Sequence, residues 1–336
     1  MKSFNLRYYL NLPTFFIVAQ LIILSCSPVN RMPPARVIPG LYFIDAHSQM
    51  DQNVDKTRVI SLMDRGGIYR TILSNHMQRP WGEIIAFAKK KPDRIIPAVR
   101  IKGKGFHRGD SKDFYKRLTK QMGDSNFRAM AEVHLWHDGA GKYFEIKTDL
   151  NDELTQAAFQ NAHRKRWPFV IHIEFASLPK ADYLFYMKDL QRFLRKYPKH
   201  PFVMIHMAQL EAGPVRKLLD AHSNLYFMTS HASPYYETSK KPFINMFKEE
   251  HLKPQWIKLI SEKPDRFIFA LDNVFARFWT PYLYLGKMKL WWHAIGDLPD
   301  TAAHALAHGN AERLWKLPPK PKSVLVVPPG QTAPQK

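Results

Sequence analysis

Eight short apolar runs, spread over residues 41–273, set the strongest limit on what this chain can fold into. They are LYFIDAH (41–47), YRTILSN (69–75), RIIPAVR (94–100), RAMAEVHL (128–135), PFVIHIE (168–174), PFVMIHM (201–207), LYFMTS (225–230) and FIFALDN (267–273). Continuous apolar runs of this length suit strands buried on both faces, as in parallel sheets covered by helices. The intervals hold helix-like stretches: Lys56–Asp64 with Val59, Ile60, Leu62 and Met63, then 81–91, 151–166, 181–197, 209–221 and 255–263. Pro92, Pro168, Pro198, Pro201 and Pro264 fall near the ends of these stretches, where proline closes a helix before the next strand. Eight strand–helix alternations in roughly 280 residues predict a (β/α)₈ barrel. A doubly wound open sheet is the competing architecture. No glycine-rich phosphate loop follows the first run, however, and eight units exceed what such a sheet usually contains.

A barrel of this kind carries its chemistry at the C-terminal ends of its strands. Polar residues collect at those ends here: His47 and Gln49 on the first run, Arg100 on the third, Glu132 and His134 on the fourth, His172 and Glu174 on the fifth, His206 on the sixth, Asp272 and Asn273 on the eighth. A single histidine at a strand end is ordinarily a hydrogen-bonded core residue. Histidines from runs one, five and six, with an aspartate from run eight, would instead converge on one mouth. Imidazole and carboxylate donors suit zinc and neighbouring divalent ions, with an open position for water. In a strand, side chains two apart share a face, so the partner of His47 is Gln49, where a second histidine would complete the set.

This pattern resembles the amidohydrolase superfamily, specifically the amidohydrolase-related branch that includes decarboxylases of the aminocarboxymuconate-semialdehyde type. The resemblance covers residues 40–317, and the family's Asp-x-His-x-His, His, His and Asp positions map to Asp45, His47 and Gln49, then His172, His206 and Asp272. KPDRFIFALDN (263–273) resembles the branch's approach to strand eight, and AHGNAERLWKL (307–317) its closing helix, with Gly309-Asn310-Ala311 as the matching core. The resemblance implies one divalent metal ion, zinc, held by His47, Gln49, His172 and Asp272, with Glu132 as a further carboxylate. Asp272 would also take the proton of water, and His206 would support charge on the substrate oxygen. Gln49 is the departure, because a neutral amide oxygen is a weaker transition-metal ligand than imidazole. Glu132 has a second reading as the buried ion-pair partner of Arg100. Arg100, with Arg79 and His76 after run two, suits an anionic group on a small-molecule substrate; each arginine otherwise belongs to the surface or a salt bridge. Trp279, Trp291 and Trp292 either wall a pocket or pack. The expected activity is hydrolysis or decarboxylation of a small anionic molecule. The alternative is a catalytically degenerate barrel that binds a ligand.

The balance of 50 Lys and Arg against 29 Asp and Glu gives a formal charge of +21. Such a field favours nucleic acid, anionic lipid or an anionic ligand. The charge is spread out, in pieces such as Lys89-Lys90-Lys91 and Arg164-Lys165-Arg166. No helical basic region, zinc-finger spacing or RNA-binding aromatic signature accompanies it, so nucleic acid is not an expected partner. At the N-terminus, Lys2 and Arg7 lead into an apolar stretch, Leu12–Leu24, interrupted by Pro13 and Gln20. It is shorter than the ~20 residues a transmembrane helix needs and fits a secretory signal. Ile23-Leu24-Ser25-Cys26 resembles the lipobox of bacterial lipoproteins. The expected organisation is therefore a signal peptide (1–25), a lipid-bearing Cys26, a proline-containing tether (26–38), a barrel (39–317) and a disordered Pro/Lys-rich tail (318–336). Ser27, in place of an aspartate, points to the outer membrane, facing the periplasm. No oligomeric state follows from the sequence.

Overall fold

Each of the eight runs supplies a strand, and all eight are parallel in the computed structural model, which describes residues 36–107, 110–139, 145–236 and 241–329. β1 (Phe43–Met50), β2 (Ile68–Asn75), β3 (Ile95–Val99) and β4 (Ala129–Met130) pair in that order. The fourth run breaks at Ala131–Glu132 and resumes as β5 (Val133–His137), which carries the short antiparallel β6 (Ile146–Lys147). β5 pairs with β7 (Phe169–Ile173), followed by β8 (Phe202–Met204) and β9 (Leu225–Met228). After a two-residue antiparallel ribbon, β10 (Phe247–Lys248) with β11 (His251–Leu252), the chain returns as β12 (Phe267–Ile268) beside β9. The residues beyond β12 close the ring on β1. Ala46 N donates to Phe269 O at 3.1 Å, Asp272 N to His47 O at 2.8 Å, and Gln49 N to Asn273 O at 2.7 Å. The architecture is the expected (β/α)₈ barrel.

The helices follow the expected stretches, at 56–66, 81–90, 153–165, 180–196, 212–221 and 254–262. Aspartates start several of them: Asp55 accepts from Thr57 N at 2.9 Å, and Asp152 from Leu154 N and Thr155 N at 3.0 and 3.1 Å. The helix at 111–122 has little apolar signal in a lysine-rich stretch, burying only Phe114, Leu118 and Gln121 behind an Asp110 cap. The helix at 281–294, in the long insertion after run eight, buries Tyr284, Met288, Leu290, Trp291 and Trp292. A helix apolar around its whole circumference leaves no amphipathic period to read. Its tryptophans pack. Trp292 covers Gly67, where a Cβ would lie 2.6 Å from the indole, and Gly67 also ends helix 56–66 at φ +71°.

Alternate residues of the strands fill the barrel interior: Tyr42, Ile44 and Ala46, Ala129 and Ala131, Val203 and Ile205, Tyr226 and Met228, Ile268 and Ala270. Continuing that alternation from β12 brings in Asp272. On β1 the register slips between Asp45 and Ser48, so that His47 and Gln49 rather than the even-numbered residues reach the polar layer. The break at Ala131–Glu132 does the same for Glu132. After Ile205 the backbone turns left-handed, with φ near +53° from His206 through Ala208 and +54° at Gln209.

Cys26 and nearly all of the tether lie outside the described residues, and among those described no helix is long and apolar enough to cross a membrane. Residues that follow the barrel touch it at three points. Arg70 donates to the Pro318 carbonyl, Lys320 N to Tyr42 OH at 3.3 Å, and Val326 packs on the core.

Candidate functional site

His47, Gln49, Glu132, His172, His206 and Asp272 meet at the C-terminal mouth, all essentially buried. His47 Nε2 lies 3.5 Å from both Glu132 Oε1 and Asp272 Oδ1. His206 Nε2 lies 3.5 Å from Asp272 Oδ2, with His231 Nε2 at 3.4 Å from the same oxygen. The His206 and His231 rings stack 4.1 Å apart, and Ser230 Oγ holds His206 Nδ1 at 3.0 Å. Several of these residues stand on strained backbone: His206–Gln209, His231 at φ +57° and Asp272 at φ +47°. Left-handed geometry costs a non-glycine residue roughly 1–2 kcal/mol. Such strain persists where the surrounding structure enforces it, commonly at functional sites.

Two buried glutamates organise the centre. Glu132 Oε1 accepts from Lys102 Nζ at 2.6 Å and Gln49 Nε2 at 2.9 Å, while Oε2 faces His172 Nδ1 at 2.7 Å and His134 Nε2 at 3.1 Å. Burial would raise this carboxyl, but the Lys102 ammonium and His134 hold it well below the usual carboxylate range. Glu174 Oε1 meets His172 Nε2 at 3.1 Å, Lys241 Nζ at 2.7 Å and His137 Nδ1 at 3.3 Å. Burial again opposes ionisation, and the His137 and His172 hydrogen bonds overcome it, so Glu174 is also held well below its ordinary value. His172 bridges the two carboxylates. Burial alone would lower its pKa, and the hydrogen bonds to Glu132 and Glu174 raise it instead. His206 goes the other way, pushed well down by burial and by His231 beside it. Asp45, the first residue of the opening motif, is a backbone clamp: its carboxylate accepts from Ser48 Oγ at 2.5 Å and Leu271 N at 2.9 Å. Burial lifts its pKa to about 6.

The sequence profile of the amidohydrolase family matches residues 80–317. The chain belongs to the amidohydrolase family. No curated protein matches it by sequence. Among solved structures, this amidohydrolase resembles 2,6-dihydroxybenzoate decarboxylase from Rhizobium (TM-score 0.53, 13% identity, covering 82% of this chain and 99% of that one). It also resembles a putative 2-pyrone-4,6-dicarboxylic acid hydrolase from Pseudomonas putida (TM-score 0.53, 11% identity, 83% and 99% covered). A third similar structure is 5-carboxyvanillate decarboxylase from Novosphingobium aromaticivorans, a mutant with bound manganese (TM-score 0.50, 14% identity, 83% and 98% covered). At these identities the likeness is one of fold.

The donor set of this amidohydrolase fits a divalent ion. His47, Glu132 and Asp272 each turn one ligand atom toward the others. Separations of 3.5 Å between such atoms are what metal–ligand bonds of about 2.0–2.2 Å give at a tetrahedral angle. Gln49 adds a second observation. Its Nε2 points at Glu132 and, at 3.2 Å, at Asp272, while its buried Oε1 has no hydrogen-bond partner. A half-turn of the amide exchanges the two atoms, presenting the oxygen to a cation and the nitrogen to the carboxylates without one.

The other expected residues have partners of their own. Arg79 is spent on structure: Nε donates to Asp51 O at 2.7 Å, Nη2 to Val54 O at 2.6 Å, and Nη1 to Glu83 at 2.5 Å. Arg100 donates to the carbonyls of Lys102 and Met77 at 2.8 and 2.9 Å, and its pKa falls to about 10 through burial and the neighbouring Arg117. Arg100 does not pair with Glu132; Lys102 does. His76 stands edge-on to Phe275 at 5.1 Å. Trp279 Nε1 donates to Gln49 O at 3.0 Å, so this indole packs and braces the ligand strand. Residues that sequence reasoning left without a role are Lys102, His137, His231 and Lys241. Lys102 carried a signal: it is two residues past Arg100 and so shares its face in an extended chain.

Proposed function

We propose that this amidohydrolase is a divalent-metal-dependent enzyme, with zinc as the ion, that hydrolyses or decarboxylates a small anionic substrate. The carrying observation is the convergence of His47, Glu132 and Asp272 on one buried centre, with His172 on the other oxygen of Glu132 and Gln49 Oε1 left over. His47, Asp272, His172 and Glu132 would hold the ion, with Gln49 as a neutral fifth donor. When bound, the ion supplies Lewis acidity and activates water. Asp272 divides its work: Oδ1 faces His47 and Gln49, and Oδ2 faces His206 and His231, where it can take a proton and share it with either ring. Ser230 fixes the His206 ring in that position. Lys102 and Lys241, both slightly exposed, place ammonium groups at the mouth and support an anionic substrate.

A catalytically silent binder is the second reading. Lys102 and Gln49 already donate to the Glu132 oxygen that faces His47, so the chain satisfies its carboxylate from within. Elemental analysis of protein purified without added metal separates the two, together with dialysis against zinc and manganese. Bound metal that Asp272→Asn removes, along with any turnover, supports the enzyme. Protein that stays metal-free with no thermal shift sinks it. We also propose that Cys26 carries the lipid that holds the protein in the cell envelope, through at least two acyl chains. Cys26→Ala should move the protein from the membrane to the soluble periplasmic fraction. If the unaltered protein is already soluble there, the anchor is wrong.

A further inference from the structure

At the opposite end of the barrel, the closing helix carries a row of polar residues spaced by four: Asp300, His304, His308 and Glu312. This spacing places them on one helical face. The helix is widened through their centre, with a π-helical turn from Ala305 to Gly309, a distortion frequent at functional sites. His304 Nδ1 faces His308 Nε2 at 3.1 Å. His308 Nδ1 lies 3.1 Å from Glu312 Oε2, and Tyr42 donates to the other oxygen of Glu312 while stacking on the His308 ring at 3.8 Å. The Pro39 backbone lies beside the His304 ring.

The carboxylate fixes the tautomer of His308. An ionised carboxylate only accepts, so His308 gives it the Nδ1 proton and keeps a lone pair on Nε2. If His304 gives its Nε2 proton to Pro39, its lone pair sits on Nδ1. Two lone pairs then meet at 3.1 Å, a pair that either a proton or a metal cation set beside the line joining them can bridge. Metal–nitrogen bonds of about 2.0–2.1 Å would span that gap at an angle of roughly 95–100°. A histidine ligand whose far nitrogen is held by a carboxylate is the usual support for a bound ion.

We propose that His304 and His308 form a second transition-metal site on the underside of the barrel, separate from the mouth. Glu312 and Tyr42 orient the His308 ring, and water fills the remaining positions on the ion. Zinc is a suitable probe.

Zinc binding to the full chain, measured by isothermal titration at neutral pH, tests this. His304→Ala/His308→Ala should bind one ion fewer per chain than the unaltered protein. Asp272→Asn should leave that ion in place. Glu312→Gln should keep the ion but weaken it by about 10–100-fold. The proposal is overturned if the double variant binds the same number of ions equally tightly, or if the ion it loses is the one Asp272→Asn also loses; a proton alone would then bridge the two rings. Should the double variant fail to melt cooperatively, Glu312→Gln decides: unchanged zinc affinity overturns the site.

Discussion

Left-handed residues occur at both ends of this barrel, and they do different work. On the underside, Gly67, Arg166 and Lys316 take positive φ as the last residues of helices, and each donates its backbone N–H to the helix it ends. The conformation is offset locally by capping bonds. At the mouth, His206–Gln209, His231 and Asp272 adopt the same geometry in short connections that bear ligand-type side chains. The polar groups differ in the same way. Carboxylates such as Asp55 and Asp152, at the N-termini of helices, are spent on capping, whereas Glu132 and Glu174 are buried and neutralised by lysine and histidine. Capping groups add to stability locally, and the buried carboxylates of the mouth are held against their preference.

Removing a mouth carboxylate should therefore cost most. Glu132→Gln strips the partner from part-buried Lys102 and from buried His172, and breaking a buried pair on one side costs about 3–5 kcal/mol. Urea unfolding at neutral pH should register that loss, and metal content should fall with it. Adding Lys102→Met to the variant should recover part of the stability. A loss under about 1 kcal/mol would place Glu132 among ordinary surface pairs.

An underside histidine should give the next largest effect, through pH. His200, buried before β8 with His163 Nδ1 at 3.3 Å, has its pKa pushed down to about 4 by burial and by His163. The folded value lies below the ordinary 6.5, so the folded state favours the neutral ring. Its stabilising contribution is complete above pH 6.5 and is lost as pH falls toward 4, amounting to about 3 kcal/mol at 1.36 kcal/mol per unit. Unfolding free energies at pH 7 and pH 4.5 should differ more in the native protein than in His200→Gln. Identical slopes would remove His200 from the account.

Gly67 tests the underside more narrowly. Gly67→Ala puts a methyl 2.6 Å from the Trp292 indole at φ +71°, and should cost about 1–3 kcal/mol through overpacking and strain. Ala208→Gly at the mouth is the counterpart: it relieves a left-handed residue, so its cost should be smaller than that of an ordinary buried Ala→Gly change.

The fold was legible because parallel strands buried on both faces leave continuous apolar runs that no helix period mimics. The mouth was legible in part, because strand ends have fixed positions once the barrel is assumed. His47, His172, His206 and Asp272 could be placed in this way. Lys241 could not, since it arrives from the long connection after β9, whose path depends on tertiary packing. Nor could Lys287: its helix is apolar all round, and its ammonium, bonded to Asn273 and Tyr236, is buried with its pKa pushed down to about 8. The phase slips on β1 and at Ala131–Glu132 were hidden too, because a one-residue bulge leaves composition unchanged.

The smallest expected effect is the most informative about the mouth. Gln49 Nε2 sits 2.9 and 3.2 Å from Glu132 and Asp272 and 3.5 Å from His47 Nε2, so an imidazole at this position would point at the same centre. Imidazole is the stronger zinc donor, and Gln49→His should tighten zinc by about tenfold, roughly 1.4 kcal/mol. Without metal, a ring between two carboxylates binds a proton, which zinc must displace. The gain should therefore shrink as pH drops from 7.5 to 5.5, in competition against a zinc-binding dye. Unchanged affinity at pH 7.5 would mean that the Gln49 side chain is no part of an ion site. The amide would then serve only to tie two carboxylates together, as the capping groups of the underside tie helix ends.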